Sequence, residues 1–213
     1  MTTILSTVRR GIKMRRLGVL LLLLALLLVG CSSRFSVTEG GYLDGKTQRR
    51  YVQLSDAYEA ASSGEEVGAW ESELYDSVLT FREIPTADPE SFLTDDIGTV
   101  YCADEVLPDA SLWNVKSILV CDENAVSVAV ANITNADLIA QIRALWAEGE
   151  QAEKPEKGLT VRRRLKMVSD DCPGIYYCVL YLIYDDGTAY FYDRDAARVV
   201  QVSEELKNKI PIT

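Results

Sequence analysis

The chain has 213 residues, with 22 Lys+Arg against 32 Asp+Glu and no histidine. Without an imidazole, Ser-His-Asp and Cys-His catalysis, zincin-type sites and most zinc or copper centres are excluded. Five of the bases stand before residue 17, so the stretch after residue 31 holds 17 Lys+Arg against 32 Asp+Glu, a balance of −15 that repels phosphate backbones and argues against a nucleic-acid partner.

Those five are Arg9, Arg10, Lys13, Arg15 and Arg16, and an aliphatic run of 14 residues, 17–30, follows them. A spanning helix needs about 20 residues, whereas a basic start and a shorter apolar run make a secretory signal. The run closes on Leu28-Val29-Gly30-Cys31, unlike the small-x-small ending in Ala of an ordinary cleavage site. Residues 14–31 resemble the lipobox signal of bacterial lipoproteins. The resemblance implies that Cys31 takes a diacylglycerol thioether, becomes the first mature residue, and holds the protein on the outer face of the cell membrane by palmitate-type chains. Stable anchoring takes two chains or more, which a diacylated cysteine supplies. A start at Met14 would give the basic opening Met-Arg-Arg.

The expected organisation is a signal over 1–30, lipidated Cys31 and a flexible tether over 31–50, and an extracytoplasmic domain over 51–213. Gly40-Gly41 and Gly45 in a polar stretch predict the tether. Tyr51, Leu54, Tyr58 and Ala61 recur at 3, 4 and 3, and Val67, Trp70, Leu74, Val78 and Phe81 continue the spacing. This predicts helices before Gly64 and over 65–80, although Val78-Leu79-Thr80-Phe81 also suits a strand. Asp88-Pro89-Glu90 reads as a helix start. From 109 onward the pattern changes. Residues 115–121 and 125–131 predict strands around Asp122-Glu123-Asn124. Thr134 or Asn135 caps a helix whose Leu138, Ile142, Leu145 and Trp146 share a face and which stops at Gly149. Strands over 159–168, 175–184, 189–192 and 199–202 follow, then a Ser203-capped helix burying Leu206 and Ile210. The fold class predicted is α+β: an antiparallel sheet with a packed helix, order ββαββββα over 109–213, after a mainly helical 51–108.

Four cysteines follow Cys31. An even number outside the cytoplasm suggests disulfides, with Cys172–Cys178 and Cys102–Cys121 the preferred pairs. Free buried thiols compete with that reading, as does a four-thiolate zinc site, although no C-x-x-C knuckle is present. A two-residue turn at Asp186-Gly187 would put Tyr177, Tyr181, Tyr190 and Tyr192 on one face, opposite Leu180, Leu182 and Phe191. That face is either sheet packing or a platform for a sugar or peptide. Arg162, Arg164 and Lys166 alternate onto one side of their strand, either as a solvated face beside carboxylates or as a grip on an anionic wall polymer or headgroup. Asp193-Arg194-Asp195 begins a calcium-loop pattern and stops. No Walker, G-x-G-x-x-G, G-x-S-x-G or S-x-x-K sequence occurs, so no cofactor and no metal is expected. The functional expectation is a non-catalytic binding or interaction module whose partner is an envelope protein or wall polymer. A carboxylate hydrolase on wall or glycan and a structural envelope component are the alternatives.

Overall fold

The computed structural model describes residues 34–72, 74, 76–122 and 128–212. Cys31 and the signal lie outside the described residues, as do Glu123 and Asn124 of the expected hairpin turn. The first half consists of strands: β1 (Phe35–Thr38), β2 (Gly41–Asp44), β3 (Arg50–Gln53), β4 (Tyr58–Ala60), β5 (Glu66–Ser72), β6 (Ser77–Glu83), β7 (Phe92–Thr94) and β8 (Val100–Ala103). All but β4 form one antiparallel sheet in the order β1-β2-β3-β8-β7-β6-β5. Because β1 lies beside β5, the sheet curls almost closed. Phe35, Tyr51, Phe81, Leu93 and Tyr101 fill it, with Tyr42 and Trp70 at its margin. The Phe35 and Phe81 rings stand 4.2 Å apart, and Tyr101 meets Phe81 edge-on at 5.1 Å.

Residues 35–38 and 41–44 of the expected tether are therefore strands rather than flexible chain. Phe35 is fully buried, and burying such a ring stabilises by roughly 1.5–3 kcal/mol. The two glycines serve geometry rather than flexibility. Gly40 turns the chain at φ +77°, and a Cβ at Gly41 would stand 2.3 Å from the Tyr51 carbonyl oxygen.

The second half contains β9 (Val115–Asp122), β10 (Ala129–Ile133), α1 (Ala136–Glu148), β11 (Leu159–Ser169), β12 (Ile175–Tyr184), β13 (Ala189–Asp193), β14 (Arg198–Val202) and the single turn α2 (Glu204–Lys207). Its sheet runs β10-β9-β11-β12-β13-β14. On the side of β12 taken by β13 at one end, β4 pairs the other end, with Tyr58 opposite Tyr177 and Glu59 opposite Tyr176. This splice carries a first-half strand into the second sheet. Asn135 caps α1, its Oδ1 accepting from the Leu138 amide at 2.9 Å. Ile139, Ile142 and Trp146 are buried as α1 packs against β9 and β14. At Gly149 a Cβ would meet Val200 Cγ1 at 2.4 Å, so the helix ends where only glycine fits against β14.

The α+β class with a helical first half is overturned. The protein is mostly β, two antiparallel sheets, and among the described residues α1 is the one helix longer than four residues. The helical spacing misled because its residues serve two cores. Tyr51 enters the first sheet's core, whereas Leu54 and Tyr58 enter the larger one under α1. In the second stripe Leu74 and Val78 are exposed, beside the β5–β6 turn. Asp88-Pro89-Glu90 is a turn, not a helix start. The Asp88 carboxylate accepts from the Glu90 amide and the Ser91 hydroxyl, and the chain then enters β7.

The β12–β13 register also differs by one residue from a two-residue turn. The loop is three residues long, Asp185-Asp186-Gly187, with Gly187 at φ +82° and Ile183 opposite Ala189. Asp186 fixes it by accepting from the Thr188 amide and hydroxyl. A slip of one residue exchanges the faces of one strand against the other.

Candidate functional site

With that register, Tyr177 and Tyr181 share a face with Phe191 in the core under α1. Tyr190 and Tyr192 lie on the opposite face with Leu180, Leu182 and Tyr184. That second face is covered by the segment after α1. The Ala152 amide donates to the Val199 carbonyl at 2.9 Å, and Lys154 Nζ stands 6.0 Å over the Tyr192 ring. The four tyrosines therefore do not form one platform.

Arg164 and Lys166 share a face and converge on one carboxylate. Glu59, delivered by β4, accepts from Arg164 Nη1 at 2.8 Å and pairs with Lys166 Nζ, while Arg162 on the same face is half-buried. The Lys166 side chain is only 4% exposed and lies 5.4 Å over the Tyr176 ring. These two cations are an internal clamp between β4 and β11, not a solvated grip on a polymer. Arg163 on the other face bonds Asp122 at 2.8 Å and the Ile212 carbonyl.

Cys102, Cys121, Cys172 and Cys178 are free, buried thiols, so neither preferred disulfide is formed. Cys178 sits opposite Lys166 with its sulfur 3.7 Å from Glu59, whereas Cys172 belongs to the core under α1 with Cys102. Burial pushes the Cys102 and Cys172 thiols up to about 11, and raises those of Cys121 and Cys178. Among the described residues no group of three or more Cys, Asp or Glu is placed to hold a metal ion.

The chemistry that does converge lies at the end of β13. Asp193 is 3% exposed. Its carboxylate accepts from the Tyr177 hydroxyl at 2.7 Å, Trp146 Nε1 at 2.7 Å, and the amides of Asp195 at 3.0 Å and Ala196 at 3.2 Å. Four donors fill the roughly four acceptor positions of a carboxylate. The donors come from three parts of the framework: Tyr177 from β12, Trp146 from the last turn of α1, and the two amides from the β13–β14 turn itself. Around them Tyr58 meets the Tyr177 ring edge-on at 5.0 Å, and Trp146 lies 5.2 Å from it. The Tyr58 hydroxyl donates to the Pro108 carbonyl at 3.0 Å. Burial, then Asp195, pushes Tyr58 up to about 12, and Tyr177 is raised further by burial and its bond to Asp193.

These groups line a cleft of about 320 Å³, with Asp195 and Arg198 at its margin. Arg198 faces Asp193 across the β13–β14 pair but turns its guanidinium to the Ala147 and Gly149 carbonyls, where it caps the C-terminus of α1. No protein-family model, curated protein or solved structure matches the chain.

A second cleft of about 330 Å³ lies on the other side of Tyr58, beside Glu59, Arg164 and Arg194. Its charges are paired within it: Arg194 with Asp56, and Arg164 with Glu59. Among the described residues no ion pair neutralises Asp193, Asp195 or Asp109 in the Asp193 cleft. Of its parts the sequence singles out Tyr177, Trp146 and Asp193-Arg194-Asp195, each for another reason. The bonds that unite them span 16 and 47 residues and leave no local pattern.

Proposed function

We propose that the protein is a lipid-anchored, extracytoplasmic binding module and that the Asp193 cleft engages its ligand. One observation carries the binding role: an aromatic-walled cleft whose buried carboxylate is locked by four donors before any ligand arrives. Preorganisation of this kind favours recognition, because Asp193, Tyr177 and Trp146 are already held in place. The same saturation argues against acid–base chemistry, since Asp193 has no lone pair left to trade a proton. The address rests on Leu28-Val29-Gly30-Cys31 and the acidic balance beyond it. The partner is an envelope protein or wall polymer.

Growing cells on radiolabelled palmitate tests the anchor. Wild-type protein should take up label and sediment with membranes, and Cys31→Ala should lose both properties. Absence of label from the wild type, or unchanged fractionation of the variant, overturns the address.

A further inference from the structure

We infer that the Asp193 cleft takes an organic cation, the alkylammonium group of an amine-bearing ligand. This rests on the reading of that cleft as the binding site.

The argument starts from charge. Asp193 is buried, yet every group bonded to it is neutral: a phenol, an indole and two amides. No Lys or Arg pairs with it among the described residues. Neutral dipoles can hold a buried carboxylate in place, but they leave its field uncancelled, and low-dielectric walls focus that field into the cleft. Glu59, the partly buried carboxylate on the other face of the sheet, carries two cations of its own. Among the described residues Arg198 is the cation that lines the Asp193 cleft, with its guanidinium committed to the carbonyls at the end of α1, and Arg143 beside the cleft donates to the Ser111 carbonyl at 3.0 Å.

The margin adds charge of the same sign. Asp195 is exposed, and among the described residues its backbone amide donates to Asp193 while its carboxylate has no ion pair. Asp109, also lining the cleft, accepts from the amide and hydroxyl of Ser111. Beside burial, both carboxylates raise the Tyr58 hydroxyl, so both lie close enough to act on the cleft wall. A bare metal ion fits poorly, since no group of three or more ligating side chains converges. An alkylammonium fits better, because Tyr58, Tyr177 and Trp146 supply apolar and aromatic wall for its stem. A volume of about 320 Å³ suits one such side chain or a small amine.

The test uses the full chain in a neutral detergent, with its three tryptophans labelled with ¹⁵N. The indole signal of Trp146, assigned with Trp146→Phe, reports on the hydrogen bond to Asp193. Three capped amino acids serve as probes: acetyl-lysine methylamide, its neutral norleucine counterpart and its glutamate counterpart. The lysine probe should shift the Trp146 signal saturably, and the norleucine probe should bind about tenfold more weakly or not at all. Asp195→Asn, which changes an exposed side chain, should weaken the lysine probe about fivefold and leave the norleucine probe unaffected. If norleucine or glutamate binds as well as lysine, the cation assignment fails while the cleft stands as a binding site. If no probe moves the Trp146 signal, the assignment and the cleft's role both fall, whatever the palmitate experiment shows. An Asp195→Asn protein that binds lysine as tightly as wild type also overturns the assignment.

Discussion

Both sheets bury carboxylates, but they use them over different distances along the chain. In the first sheet Asp44 and Asp95 close their own turns. Asp44 accepts from the Lys46 amide and Thr47 hydroxyl, and Asp95 from the amides of Ile97 and Thr99 and the Tyr101 hydroxyl. In the second sheet Asp193 reaches Trp146, 47 residues away, and Glu59 reaches Lys166, 107 residues away. The local carboxylates shape hairpins. The distant ones join separate elements, and the cleft forms around one of them.

The contrast predicts a difference in cost. Asp193→Ala would leave an indole, a phenol and two amides without their acceptor, and each buried orphan costs about 1–3 kcal/mol, so a loss of about 5 kcal/mol is expected in urea unfolding. Asp95→Ala should cost about 2 kcal/mol, because its turn can relax toward solvent. Equal losses, or a larger one for Asp95→Ala, would erase the distinction. Between these two lies Phe35→Ala, expected to cost about 4 kcal/mol by emptying part of the first sheet's core. A change near zero would instead return residues 35–44 to the status of a tether.

The smallest effect is a pH dependence in the alkaline range. Cys102 and Cys172 are shifted from 9.0 to about 11 in the folded state. Their contribution is therefore complete below about pH 9 and lost as pH rises toward 11, where the unfolded chain ionises first. Tyr58, raised from 10.0 to about 12, acts with the same sign at higher pH. The urea midpoint should fall between pH 8 and pH 10.5. In a double Cys102→Ala, Cys172→Ala variant the fall should be shallower. An identical fall in that variant would remove the thiols from the explanation.

The same contrast explains what could be read from sequence. Around α1 the Asn135 cap, the apolar face and Gly149 all act within a few residues, and the helix lies where they place it. The strands from Val115 onward also sit near their β-rich runs. The first half resisted reading because consecutive apolar residues there go to different cores, so that Tyr51, Leu54 and Tyr58 imitate one helical stripe. The hairpin at Gly187 was visible as a turn, but its length was not. Asp185 joins the loop because Tyr184 and Thr188 close it, the Tyr184 amide donating to the Thr188 carbonyl at 2.9 Å. The candidate cleft was least legible of all, since Asp193 gains its meaning only when α1, β4 and β12 are brought to it.

The most direct test of a cleft-centred binding module is photo-crosslinking in intact cells. A benzophenone amino acid would replace Ala196, at the cleft, or Val78, exposed on the first sheet. A specific adduct should form from position 196 and not from position 78, and Cys31→Ala should abolish it by releasing the protein from the membrane. Adducts from position 78 alone, or equally from both, would contradict the account.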